Sequence, residues 1–190
     1  MPVADALTRI TGALHPLAPE SVSLAEAYGR VLAEDVAARL TQPPAAVSAM
    51  DGYAVRAADV TDVPTTLRVI GEAPAGAAFD GTVGKGDAVR IFTGAPVPAG
   101  ADAIVIQEDT ARDGDAVSVT TGATEGRYIR PAGLDFSAGD VRLKKGRLLT
   151  ARDIGLAAAM NVPWLMVTRK PRIALLATGD EIVKPGDALG

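Results

Sequence analysis

Apolar residues recur at spacings of three and four over the first fourteen positions, at Val3, Leu7, Ile10 and Leu14. That is a helical period, and Pro2 suits a first turn. A helix is therefore predicted over residues 2–14, ended by Pro16 and Pro19. Ser21 to Leu24 is a short apolar segment, and Ala25 to Tyr28 reads as one helical turn closed by Gly29. Val31 to Leu40 reads as extended and stops at Pro43-Pro44.

The texture changes between Ala45 and Asp135. Short β-rich runs alternate with Gly, Pro and Asp: Tyr53–Val55, Thr66–Ile70, Ala88–Phe92, Ala103–Gln107, Ala116–Thr120 and Arg127–Arg130. Strands at such intervals suggest a compact barrel or sandwich. Asp113-Gly114 between two of them is a hairpin signal. Beyond Gly139, Val141–Leu143 and Arg147–Leu149 read as strands. Thr150 then reads as an N-cap with Asp153 as the acid of a capping box, and the helix runs to Asn161. Trp164–Thr168 is another strand, Lys170-Pro171 a boundary and Arg172–Ala177 a last strand. The first and last thirds share a helix-plus-strand texture that the middle lacks. The predicted fold is thus α+β and strand-rich: a discontinuous helix/strand domain, residues 1–44 and 138–170, with a β-barrel-like domain inserted over 45–137.

Composition narrows the chemistry. Of 190 residues, 4% are aromatic, so the cores must be built from Ala, Val, Leu and Ile. Net charge is -4 with no basic stripe, which argues against nucleic acid. The absence of cysteine excludes disulfides, thiolate nucleophiles and cysteine zinc sites. The lone histidine, His15, reads as a loop residue, and no serine context supports a triad built on it. Metal binding would fall to carboxylate and hydroxyl oxygens, which is magnesium-like chemistry. No signal peptide or apolar run of about 18 residues is present, so a cytoplasmic protein without a membrane span is expected.

Four segments carry candidate chemistry. Ser48-Ala49-Met50-Asp51-Gly52-Tyr53-Ala54 places Asp51-Gly52 at a strand entrance, as a site or a plain turn. In Phe92-Thr93-Gly94-Ala95-Pro96-Val97-Pro98 a strand ends where N–H groups and the Thr93 hydroxyl could meet an oxyanion; a structural turn is the alternative. Tyr128-Ile129-Arg130-Pro131-Ala132-Gly133-Leu134-Asp135 sets a cation near a carboxylate, as a site or a surface ion pair. Thr178-Gly179-Asp180-Glu181 follows a strand, where an α/β domain would face a ligand crevice; an acidic N-cap fits equally. Gly84-Lys85 lacks the flanking residues of a P-loop. Asp109 to Thr120 lacks calcium-loop ligands at Ala111 and Thr120 and reads as a hairpin.

In this order and spacing the four segments, with Ala99-Gly100-Ala101-Asp102-Ala103-Ile104-Val105 after the second, resemble the molybdopterin molybdotransferases (molybdenum insertases) of the MoeA and gephyrin E-domain type. The resemblance covers essentially the whole chain. It implies that residues 171–190 begin an α/β molybdopterin-binding subdomain, of which the sequence holds only the first strand. It implies molybdenum insertion into adenylylated molybdopterin, with AMP hydrolysis and molybdate transfer, assisted by a divalent cation such as Mg2+. The implied catalytic positions are Asp51, Thr93, Asp135 and Glu181, and the substrate-binding ones Arg130 and Asp180. The metal ligands stay open, with Asp51 and Glu181 the best candidates. Leu134 departs from the family, where an acidic residue commonly precedes the aspartate. The resemblance also implies a homodimer and makes the molybdopterin adenylyltransferase a candidate partner. The chain by itself is expected to be inactive, because the family site has a second wall in the following subdomain. A non-enzymatic dimerisation or scaffolding role, of the gephyrin E-domain kind, is the alternative.

Overall fold

The computed structural model describes residues 1–174, Leu176, Val183, Pro185 and Gly186. Part of the strand expected over Arg172–Ala177, and all of Thr178 to Glu181, lie outside the described residues. The elements in chain order are α1 (Val3–Thr11), β1 (Pro19–Ser23), β2 (Val36–Ala37), β3 (Val47–Ser48), β4 (Gly52–Val55), β5 (Thr65–Ala73), β6 (Asp87–Ile91), β7 (Ala103–Ile106), β8 (Thr110–Asp113), β9 (Ala116–Val119), β10 (Ile129–Arg130), β11 (Val141–Leu143), α2 (Ala151–Ala159) and β12 (Trp164–Thr168). The fold is strand-rich with few helices, and its largest sheet curls as a half-barrel. The chain forms two units: residues 1–35, 143–155 and 163–190, and residues 36–142 with 156–162.

In the first unit β1 and β12 pair antiparallel, with Val22 opposite Leu165. Leu32 bridges to Val167, and Leu148 to Val31, so the strand expected at Arg147–Leu149 is reduced to one bridge. Val22, Leu32, Leu149, Leu165 and Val167 are buried. Buried Arg30 pairs with Glu20 and donates to the Thr168 carbonyl at 2.9 Å. A one-turn helix at Leu24–Glu26 is closed by a capping box between Ser23 and Glu26. The helix α1 stops at Thr11, earlier than its apolar period, because Gly12 propagates a helix poorly. At the start of α2 the Asp153 carboxylate accepts the N–H and hydroxyl of Thr150 at 2.9 and 2.8 Å.

The second unit is dominated by the sheet β7-β4-β6-β5-β9-β8. All neighbours in it are antiparallel except β5 and β6. The strands β8 and β9 form the expected hairpin, with Gly114 at φ 58° in its turn. Every residue of β4 is buried, and so are the first three of β7. Tyr53 and Val55 join Ala103, Val105, Val117 and Val119 on one side, whereas Ala54 joins Val89, Ile91 and Ile104 on the other. This explains the unbroken apolar runs of β4 and β7, which carry no polar alternation. Each fully buried Val, Ile or Leu contributes about 1.5–3 kcal/mol relative to exposure. The strand expected at Arg127–Arg130 is shortened to Ile129–Arg130, because Gly126 (φ 77°) and Tyr128 (φ 56°) are left-handed and cannot extend a strand.

Candidate active site

Strand register brings the first two candidate segments together. Gly52, the first residue of β4, lies opposite Ile91 on one side and Ile106 on the other. The residue before β4, Asp51, therefore lies beside the segment that follows β6, which begins Phe92-Thr93-Gly94. Only glycine fits at position 52: a Cβ there would collide with the Val105 carbonyl oxygen. The Phe92 segment turns through Gly94, at φ 83°.

The contact that results is specific. Asp51 Oδ1 accepts the Thr93 backbone N–H and the Thr93 hydroxyl, each at 2.8 Å. These two bonds, N–H first, outweigh the desolvation of the carboxyl, and Arg90 adds its charge. Together they hold Asp51 below the usual aspartate range. The Thr93 donors, which the sequence offered to an oxyanion, are thus turned to this carboxylate. The Asp51 carbonyl accepts the Gln107 N–H at 3.1 Å.

Ser48 joins this pair to the third segment. Its hydroxyl donates to the Met50 carbonyl at 2.6 Å, which shapes the turn before Asp51. Its N–H donates to the Ala95 carbonyl at 2.9 Å, and its carbonyl accepts the Gly94 N–H at 2.8 Å. Within the β3–β10 pair, Ser48 lies opposite Ile129 and Val47 opposite Arg130. The Tyr128 carbonyl accepts the Ala49 N–H at 2.8 Å, so the left-handed Tyr128 also holds the Asp51 loop.

Arg130 and Asp135 form an exposed ion pair at 3.2 Å. Arg142 secures the same loop by donating to the Asp135 carbonyl at 2.7 Å, and it lies 3.5 Å from Asp140. The structure thus makes two couples, Asp51 with Thr93 and Arg130 with Asp135, and links them through β3. Asp180 and Glu181 lie outside the described residues. Among the described residues no three carboxylates or histidines gather as a metal site. A single carboxylate still fits Mg2+, which is commonly held by one or two carboxylates with waters and substrate phosphates. Asp51 fits that role, since both Thr93 donors fall on one of its two oxygens. Two residues with a part in this geometry were not singled out in the sequence: Arg90 and Gln107. The available signal was an arginine inside the apolar run that ends at Thr93.

A strand-rich chain with few helices and a half-barrel sheet is the class that comparison with known proteins identifies. The family description "MoeA N-terminal region (domain I and II)" matches residues 1–161, and the chain belongs to the MoeA family. It is 43% identical over 175 residues to a Mycobacterium tuberculosis protein named molybdopterin molybdenumtransferase 2, covering 90% of this chain and 43% of that protein. A molybdopterin molybdenumtransferase of Nostoc is 40% identical over 86% of this chain and 38% of its own length. The crystal structure of the molybdopterin biosynthesis moeA protein from Pyrococcus horikoshii OT3 superposes with a TM-score of 0.92 at 35% identity, covering 98% of this chain and 51% of that one. The chain spans less than half the length of the curated relatives named here. Among the described residues no helix is long and apolar enough to cross a membrane.

Proposed function

We propose that this chain provides the N-terminal part of a molybdenum insertase, acting in molybdenum-cofactor biosynthesis on molybdate and adenylylated molybdopterin. The observation that carries the reading is the Asp51–Thr93 couple, an ionised carboxylate held open at the rim of the sheet in a chain of this family. In this reading Asp51 offers an oxygen to Mg2+, and Glu181 is the other candidate ligand. The cation, when bound, supplies charge neutralisation to the phosphate of the adenylyl group. Thr93 keeps Asp51 ionised and aimed. Arg130 offers a charge-assisted contact to an anion, with Asp135 fixing its direction, and Asp180 adds a substrate contact.

The same reading assigns residues 1–44 with 138–170 to a first subdomain, 45–137 to a second, and 171–190 to the start of an α/β subdomain. It places the enzyme in the cytoplasm as a homodimer, with the molybdopterin adenylyltransferase as a candidate donor of substrate. The test is molybdate-dependent cofactor formation from adenylylated molybdopterin. The assay compares this chain with a chimaera that joins it to the C-terminal half of the Mycobacterium tuberculosis relative. The chimaera is expected to turn over and the chain alone to be inert. Turnover by the chain alone would refute the need for a second wall, and an inert but folded chimaera would refute the insertase reading.

A further inference from the structure

Arg90 is the one cation set within the apolar run of β6, and its guanidinium touches residues adjoining both halves of the Asp51–Thr93 couple. One Nη donates to the Gly52 carbonyl at 3.0 Å and the other to Gln107 Oε1 at 2.8 Å. The plane lies over the Phe92 ring at 4.7 Å and near the Tyr53 ring at 5.3 Å. Its partners are thus the residue after Asp51, the residue before Thr93, and the residue whose N–H holds the Asp51 carbonyl. Three chain segments, entering β4 and leaving β6 and β7, converge on one planar group. Lysine could supply the charge but not the two-pronged, stacked arrangement.

We infer that Arg90 is a positioning residue, a clamp that fixes the Asp51 and Thr93 segments in register so that both Thr93 donors fall on one carboxylate oxygen. The inference deepens the insertase reading by adding a residue to its site. Its direct test is independent of turnover.

The test measures amide hydrogen exchange in the 190-residue chain, wild type against Arg90→Lys. The amides of Thr93 and Gln107, both bonded to Asp51, are expected to exchange at least about tenfold faster in the variant. The Val69 N–H, bonded to Asp115 elsewhere in the unit, is expected to stay within about twofold, which a general loosening of the fold would not allow. Wild-type exchange at Thr93 and Gln107 in a folded R90K protein overturns the proposal. If R90K does not fold, Gln107→Met removes only the exposed acceptor of the guanidinium and is read in the same way at Thr93: faster exchange supports the clamp and unchanged exchange overturns it. In the chimaera, R90K is expected to lower kcat with KM for molybdate little changed, because the clamp orders the reacting groups without touching the anion. A rise in KM alone would assign Arg90 to anion binding instead. A chimaera that fails to turn over leaves the exchange result standing.

Discussion

Thr93 gives its backbone N–H and its hydroxyl to the same oxygen of Asp51, at 2.8 Å each. A backbone donor cannot be mutated away, but the hydroxyl can. Thr93→Val keeps the shape and the N–H. It is expected to cut turnover of the chimaera by about 10–100-fold, the range seen when a group supporting a functional ligand is lost. Thr93→Ser is expected to restore most of it. Asp51→Asn, isosteric but uncharged, is expected to fall at least as far while circular dichroism stays that of the wild type.

The Arg130–Asp135 pair separates function from stability. Both side chains are nearly half exposed, at 46% and 44%. Such pairs contribute about 0–1 kcal/mol. Arg130→Ala is therefore expected to leave the denaturation midpoint almost unchanged while lowering turnover. A large loss of stability with retained turnover would make the pair structural.

Asp153 tests the acid limb of stability. Burial pushes its carboxyl up, but the Thr150 N–H and hydroxyl and the Arg147 guanidinium, 2.9 Å away, pull it down further, leaving it below the ordinary value of 3.8. A depressed folded-state pKa stabilises the fold above the unfolded value, and this stabilisation is lost as pH falls through the folded one. Asp153→Asn is thus expected to be less stable by about 1–2 kcal/mol near pH 7, as for a lost N-terminal cap. The gap to the wild type is expected to narrow as pH drops below about 4. Urea melts at stepped pH measure it.

Gly52→Ala drives a methyl group into the Val105 carbonyl, where backbone rather than a yielding side chain must move. A loss of about 1–3 kcal/mol or more is expected, read from denaturant melts.

Much of this was legible beforehand. The runs Ala103–Gln107 and Ala116–Thr120, the Asp113-Gly114 turn and the Thr150 cap all rest on local chemistry, and they appear where that chemistry puts them. Less legible were features set by partners distant in sequence. The destination of the Thr93 donors depended on the antiparallel register of β4 and β6, which no short motif states. Arg90 looked like an interruption of an apolar run, because its acceptors come from residues 38 and 17 positions away. The late start of the strand at Ile129 was hidden in Tyr128, a residue type that seldom adopts a positive φ.

The burial of β4 on both faces changes how its alignment is encoded. A one-residue slip in an ordinary half-exposed strand would expose apolar side chains to water, so polarity guards the alignment. Here a slip would expose nothing. It would instead send Tyr53 and Val55 to the side that receives Ala54, and bring a side chain to the place where only Gly52 fits. Volume, not polarity, guards this strand. A library that randomised its four positions among apolar residues would be expected to keep solubility in many clones and the Asp51–Thr93 couple in few.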